Sequence, residues 1–201
     1  MRHADIVIAG GGMVGASLAV ALEPLGLDLV VVEPVARGDA GQPSFDERST
    51  ALSRSSQRSF EAMGLWADIV AASTPIQSVH VSDKGRFGFS HIDADEQGVE
   101  ALGYVCINRV LGGVLQGALA AANNVDTLCP ARITAVTSGE DRNVVTVIHD
   151  DDREESIACT LLVVADGARS QVREMLGIGA TYVDYEQTAV IGNVLTDLPN
   201  H

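Results

Sequence analysis

Ile6-Val7-Ile8-Ala9-Gly10-Gly11-Gly12-Met13-Val14-Gly15, answered further on by Glu33, is the stretch that decides the fold. Ile6 to Ala9 is a short apolar run of the kind buried on both faces of a parallel sheet. The glycines that follow keep the spacing G-x-G-x-x-G. Gly10 permits a tight turn. Gly12 has no Cβ, so a pyrophosphate can approach the backbone. Gly15 lets the next helix pack closely on the strand. That helix is expected from about Val14 to Leu25, aiming its first N–H groups and positive dipole end at the phosphates. Leu29 to Val32 reads as the second strand, and Glu33 at its end can accept both ribose hydroxyls of an adenosine. Isolated glycines are weak evidence, since they also serve ordinary turns. Strand, turn, helix, strand and acid in register are strong evidence. Glu33 would repel a 2′-phosphate, so the expected dinucleotide is FAD or NAD and not NADP.

Composition bounds the rest. The chain has 201 residues, 46% hydrophobic, enough for one large domain or one and a half. No apolar run approaches the ~20 residues that span a bilayer. Arg2 and His3 are the only preamble to the first strand, so no secretory signal is read and the cytosol is the expected compartment. The formal net charge of −14 argues against nucleic acid and against broad adhesion to anionic lipid. It leaves open a hydrophobic, peripheral contact with the inner membrane face. Cys106, Cys129 and Cys159 lack C-x-x-C spacing and read as reduced thiols. The five histidines form no H-x-x-x-H pair, so no metal site is expected.

After Glu33 the segment Pro34 to Glu47 reads as a long loop, rich in Gly, Pro, Asp and Ser. Helical periodicity is expected from Leu52 to Met63 and around Leu65 to Ala71. Ile76 to Ser82 and Arg86 to Ser90 alternate like half-exposed antiparallel strands, joined by a turn at Asp83-Lys84-Gly85. Leu102 to Ile107 is a further strand. Asn108 to Ala121 reads as a helix with Asn108 as N-cap. Val125 to Leu128 is a strand. Arg132 to Ser138 and Val144 to His149 alternate as a meander, with the acidic cluster Asp150 to Glu155 as a solvated turn. Leu161 to Ala165 is again all apolar and reads as a buried parallel strand. A helix from about Ser170 to Leu176 follows, and Ala189 to Leu195 looks like one more strand.

Leu161 to Arg173 repeats the strand–turn–helix logic, with Asp166-Gly167 suited to the turn and Ser170 to a cap. Here a resemblance enters. Asp166-Gly167-Ala168-Arg169-Ser170-Gln171-Val172-Arg173 resembles the D-G-x-x-S-x-x-R motif of the flavoprotein aromatic hydroxylases, the p-hydroxybenzoate hydroxylase-like superfamily. Phe45-Asp46-Glu47-Arg48-Ser49-Thr50-Ala51-Leu52-Ser53, Phe60 to Trp66 and Tyr185 to Val194 are similar to its ubiquinone-biosynthesis branch. The resemblance spans essentially the whole chain. It implies an α/β fold: a Rossmann-like FAD-binding domain with a parallel sheet, an antiparallel meander and an incomplete antiparallel substrate-domain sheet. Residues 1–75 and 108–180 would form the FAD-binding domain, and 76–107 and 181–201 the substrate-domain strands.

The resemblance also implies the site. Gly10, Gly12, Val14 and Gly15 would hold the FAD pyrophosphate and Glu33 the ribose. Arg48 lies where the family has an arginine approaching FAD; its alternative is an ion pair with Asp46 or Glu47. Arg109 opens a helix that in the family runs past the cofactor, where a base can contact phosphate. Asp166 and Gly167 would supply the second FAD contact. Arg169 and Arg173 would meet the phosphates of NAD(P)H or sit on a solvated helix face, the second reading being preferred for Arg173. No catalytic acid or base is assigned.

The implied activity is an FAD-dependent monooxygenase, reduced by NAD(P)H, that hydroxylates a prenylated phenol. A contact with a membrane or a biosynthetic complex is left open. The family's later Gly-Asp-Ala-Ala-His segment does not occur in these residues. The chain is therefore expected to be an N-terminal portion, inactive alone and weak in FAD binding. Two other readings stay open: a reductase or oxidase on the same fold, and a non-catalytic dinucleotide-binding or assembly module.

Overall fold

The computed structural model describes residues 1–36, 46–192, 194 and 197. Three sheets organise them. The largest has six strands in the order β8-β2-β1-β11-β10-β9, where β1 is Arg2–Ala9, β2 Leu29–Val32, β8 Val125–Leu128, β9 Ala131–Ser138, β10 Asn143–His149 and β11 Glu154–Val164. Strands β8, β2, β1 and β11 run parallel, while β10 and β9 return antiparallel. A three-stranded antiparallel sheet joins β3 (Ser49–Ser53), β7 (Gly103–Ile107) and β4 (Ser73–Ile76). The hairpin β5 (Ser78–Ser82) and β6 (Phe89–Asp93) stands apart from both.

Side-chain alternation along β1 splits the core in two. Ile6 and Ile8, with Leu29 and Val31 of β2, face a helical layer. That layer is α1 (Met13–Leu22), carrying Ala16 and Ala19, and α4 (Asn108–Ala121), carrying Leu111, Leu115 and Leu119. Phe60 of α2 (Arg54–Ala62) and Ile69 of α3 (Trp66–Val70) extend it. Val7, Ala9, Val30 and Val32 face the other way, against Ile133, Val145, Val147, Ile157 and Val172 of α5 (Gln171–Met175). Each fully buried Val, Leu or Ile contributes about 1.5–3 kcal/mol. The face that lacks α1 and α4 is closed by residues of the meander together with α5.

The strand β11 differs from expectation. It begins at Glu154 and spans eleven residues. Residues 154–159 pair antiparallel with β10, while the strand pairs in parallel with β1 as far as Val164. The meander and the parallel sheet are therefore one sheet. Leu161 and Val164 are 50% and 37% exposed, so this run is not buried on both faces. Helix α1 lies over β1 and β2 and leaves the end of β11 at the margin.

Other corrections are local. Helix α1 stops at Leu22 and tightens into a 3-10 turn at Glu23–Leu25, because Pro24 has no N–H to continue the ladder. Residues 49–53 form a strand, and α2 begins only at Arg54, where the Ser53 hydroxyl accepts from the Ser56 N–H at 3.2 Å. Ile76 closes β4, and β5 starts at Ser78. The partner strand of that hairpin is Phe89–Asp93 and not Arg86 to Ser90, since Gly85 and Gly88 at φ +82° and +112° keep the chain turning. Helix α4 is capped by Ile107, whereas Asn108 lies inside it. Ala189 to Gly192 is exposed and forms no strand, for no neighbouring strand among the described residues offers it a ladder. Phe45, Asn193 and Leu195, which belong to the motif and strand readings above, lie outside the described residues.

Candidate functional site at the glycine turn

The C-terminal ends of β1, β2 and β11 meet at the glycine turn. Gly10 adopts φ +99°, a left-handed conformation that favours glycine. A Cβ there would run into the Ala165 carbonyl, and a Cβ on Gly15 would overlap the Gly10 carbonyl oxygen. Close packing of turn, helix and β11 therefore requires both glycines. Gly12 is the N-cap of α1, with extended backbone and no side-chain capping bond. The N–H groups of Val14 and Gly15 belong to the first helical turn, which has no intrahelical acceptors. Val14 is 73% exposed at this end.

Glu33 is buried beside the turn. Its Oε2 accepts the Gly11 N–H at 2.7 Å and its Oε1 the Val35 N–H at 2.9 Å. The carboxylate expected to receive a ribose thus already holds the turn in shape. Each oxygen keeps a further lone pair for a ligand hydroxyl.

The second motif closes the other side. Ser170 caps α5 by accepting the Arg173 N–H at 3.0 Å. Asp166 Oδ2 accepts the Val172 N–H at 3.1 Å, while Asp166 Oδ1 is buried with no partner among the described residues. Gly167 turns the chain at φ +84° with open space around it. Asp166 lines a cavity of about 300 Å³ together with Gly10, Val32, Pro34, Ile133 and Arg169. The structure thus brings Gly10, Glu33 and Asp166 to one edge of the sheet. Arg173 is partly exposed and donates to Ala168 O at 3.4 Å and to the Tyr182 hydroxyl at 2.9 Å, while its Nε is buried with no partner among the described residues.

Arg48 and Arg109 form a separate cluster where β3 meets α4. Arg48 pairs with Asp46, the alternative its sequence left open, and Arg109 Nε pairs with Glu47 at 2.7 Å. Asn108, buried at the start of α4, donates to Asp46 Oδ1 at 3.0 Å and accepts from the Thr50 hydroxyl at 2.6 Å. Burial pulls the Asp46 carboxyl upward, but hydrogen bonds from Arg48 and Asn108 and the Arg48 charge outweigh it and hold it below its usual value. The Glu47 hydrogen bond and charge raise the Arg109 guanidinium above its own. Both arginines remain about half exposed. Helix α4 links this cluster to the turn: Gln116, seven residues or about 10 Å beyond Arg109, donates from Nε2 to Gly11 O at 3.0 Å. Asn108 and Gln116 escaped sequence reasoning, because their partners lie 62 and 105 residues away.

The three thiols form no disulfide. Cys106 and Cys159 are buried, burial raises the Cys159 thiol above its usual value, and Cys129 donates to Val35 O at 3.2 Å. Among the described residues no cluster could hold a metal ion, and no helix is long and apolar enough to cross a membrane.

These features fit FAD. A glycine cradle that side chains would fill, a glycine at the N-cap that brings no capping side chain and a buried carboxylate oxygen without a partner among the described residues ask for a ligand with phosphates and hydroxyl donors. The comparisons agree. The chain is 37% identical over 194 residues to the ubiquinone hydroxylase UbiL of Rhodospirillum rubrum, covering 94% of this chain and 43% of that protein. It is 32% identical over 202 residues to the 3-demethoxyubiquinol 3-hydroxylase of Escherichia coli, covering 94% of this chain and 48% of that one. Its fold matches PqsL, a probable FAD-dependent monooxygenase from Pseudomonas aeruginosa, with a TM-score of 0.72 at 26% identity, over 92% of this chain and 48% of that one. The chain spans about half the length of the curated relatives it matches. The model of one protein family, described as an FAD binding domain, matches residues 3–200, and the chain belongs to that family.

Proposed function

We propose that this chain is the FAD-binding portion of a flavin-dependent monooxygenase that hydroxylates a polyprenylated phenol in ubiquinone biosynthesis, with NAD(P)H as reductant. The observation that carries the reading is Asp166, which lines the cavity that also opens onto Gly10 and whose Oδ1 is buried without a partner among the described residues. An unmet acceptor at that depth costs about 1–3 kcal/mol unless a ligand hydroxyl or amide meets it. The names of the two relatives above, a ubiquinone hydroxylase and a 3-demethoxyubiquinol 3-hydroxylase, supply the substrate class.

Bound FAD would supply the redox chemistry and the activation of oxygen. The chain's own work is binding and orientation. The N–H groups of Gly12, Val14 and Gly15 receive the pyrophosphate, and Gly10 and Gly167 shape the turns around it. Glu33 offers its free lone pairs to the ribose hydroxyls, and Asp166 Oδ1 accepts a further hydroxyl. Arg48 and Arg109 would approach the cofactor with guanidinium N–H groups beyond those they give to Asp46 and Glu47. The hairpin β5–β6 begins the substrate side in residues 76–107, continued by 181–201, against the FAD-binding stretches 1–75 and 108–180. Val81 and Phe89, 57% and 74% exposed on that hairpin, are apolar surface suited to a prenyl chain, a membrane or a biosynthetic complex.

The test has two parts. Titration of FAD into the 201-residue chain, followed by flavin fluorescence, should show weak binding; submicromolar affinity would overturn the view that part of the clamp lies elsewhere. The whole enzyme should consume NAD(P)H in response to a prenylphenol and place one atom of labelled O2 on its ring. Consumption without label on the ring would make it a reductase or oxidase.

A further inference from the structure

Three successive peptides of the glycine turn are each held by a different element. The Gly10 N–H donates to Val32 O of β2 at 2.8 Å. The Gly11 N–H donates to the Glu33 carboxylate at 2.7 Å, which leaves the Gly10 carbonyl directed at Gly15 of α1. The Gly11 carbonyl accepts from Gln116 Nε2 of α4 at 3.0 Å. The Gly11–Gly12 peptide is trans, so its carbonyl and its N–H point in opposite directions. Drawing the Gly11 carbonyl toward α4 therefore turns the Gly12 N–H away from α4. That N–H has no partner among the described residues.

We propose that Gln116 is a positioning residue that aims the Gly12 amide at a ligand phosphate. The inference rests on the FAD reading above and goes beyond it by naming what presets the turn. The Gly11–Gly12 peptide is flanked by glycine on both sides, and glycine populates both signs of φ at little cost. Neither β2 nor Glu33 touches this peptide's carbonyl, so nothing else described opposes its rotation once Gln116 is removed. A rotated peptide would present a carbonyl oxygen to the phosphate in place of an N–H. Gln116 acts from behind the turn, on the helical side, and touches no ligand itself.

The experiment compares the wild-type chain with Gln116→Leu, which removes the donor, and Gln116→Lys, which keeps one. ADP and adenosine are titrated by calorimetry. The leucine variant should bind ADP about tenfold more weakly, the scale of one lost hydrogen bond, with adenosine binding unchanged and the lysine variant largely restored. Equal ADP affinity in Gln116→Leu overturns the proposal. Equal losses for ADP and adenosine reduce Gln116 to a structural residue and overturn it too. If the wild-type chain binds ADP too weakly to measure, the FAD reading still stands on its own test in the whole enzyme. The Gly12 amide resonance of the ligand-free chain then decides: a shift in Gln116→Leu supports the positioning, and an unmoved resonance overturns it. Should Gln116→Leu not fold, Gln116→Met replaces it in every arm.

Discussion

The chain contains two turns built on the same plan, a β-strand running into a glycine turn and then a helix, and the structure treats them in opposite ways. At Gly10–Gly15 the turn is gripped from every side: by Val32, by Glu33 and by Gln116. Among the described residues, a buried oxygen at Asp166–Gly167 has no partner and the glycine has nothing near its missing Cβ, and Val164 just before is partly exposed. The first turn lies between β2 and β11 and under α4, so its neighbours fix its shape while the Gly12 N–H stays without a partner among the described residues. The second lies at the margin of the helical layer and has fewer. A motif that reads alike in sequence can thus be preshaped by its protein neighbours in one place and left to a ligand or further protein in another.

The largest effect that could break this comparison comes from filling the two glycines. Gly15→Ala places a Cβ on the Gly10 carbonyl oxygen and should cost about 3 kcal/mol or more, since backbone on both sides must move. Gly167→Ala meets no atom and bears only the penalty of a positive φ, about 1–2 kcal/mol. Denaturant melts of the two variants measure the gap. Equal losses would mean that the second turn is packed as tightly as the first.

A smaller and opposite pair of effects concerns the two carboxylates. Glu33→Gln keeps the side chain's length but weakens two hydrogen bonds to backbone, and should destabilise the ligand-free chain by about 1–2 kcal/mol. Asp166→Asn keeps an oxygen for the Val172 N–H and removes an unmet charged acceptor. It should leave stability unchanged or raise it by up to about 1 kcal/mol, while weakening FAD binding about tenfold. Chemical denaturation without ligand and FAD titration separate the two quantities. A destabilised Asp166→Asn would show that its Oδ1 is already satisfied in the chain.

Where local pattern governs, the sequence was legible. Strands Leu29–Val32 and Val125–Leu128 and the helix Asn108–Ala121 have the boundaries their apolar periodicity predicts. Gly10, Glu33 and Asp166 converge as the motif spacing implies. Misreadings arose where one residue fits two periods. Leu52 suits the stripe of α2, yet it lies in β3, because β7 offers a ladder that no local pattern reveals. Asn108 reads as a cap because asparagine often is one, whereas its side chain serves Asp46 and Thr50. Both Glu33 and Gln116 were hidden in their turn-holding roles for the same reason: those bonds join segments far apart in the chain. What was missed is long-range polar pairing, which periodicity cannot carry.

Such pairing also predicts the smallest effect, at the junction that anchors α4 behind the turn. Asp46 is held below its usual value of 3.8, despite burial, by the Arg48 and Asn108 hydrogen bonds and the Arg48 charge. A carboxyl depressed by folding stabilises the folded state fully above its unfolded value, and that contribution is lost as pH falls through the folded one. Asp46→Asn removes the ionised partner at every pH. The stability difference between wild type and Asp46→Asn should therefore be level from neutral pH down to about 4 and shrink as the pH falls further. Because the pair is exposed, the difference should also be small and decrease with added salt. Urea melts of both proteins at matched pH cancel the titration of every other carboxylate. A difference that stayed constant through pH 3 would mean that Asp46 holds the junction through its shape and hydrogen bonds and not its charge. The anchoring of α4 would then resemble the glycine turn's neutral contact with Gln116 more than its charged contact with Glu33.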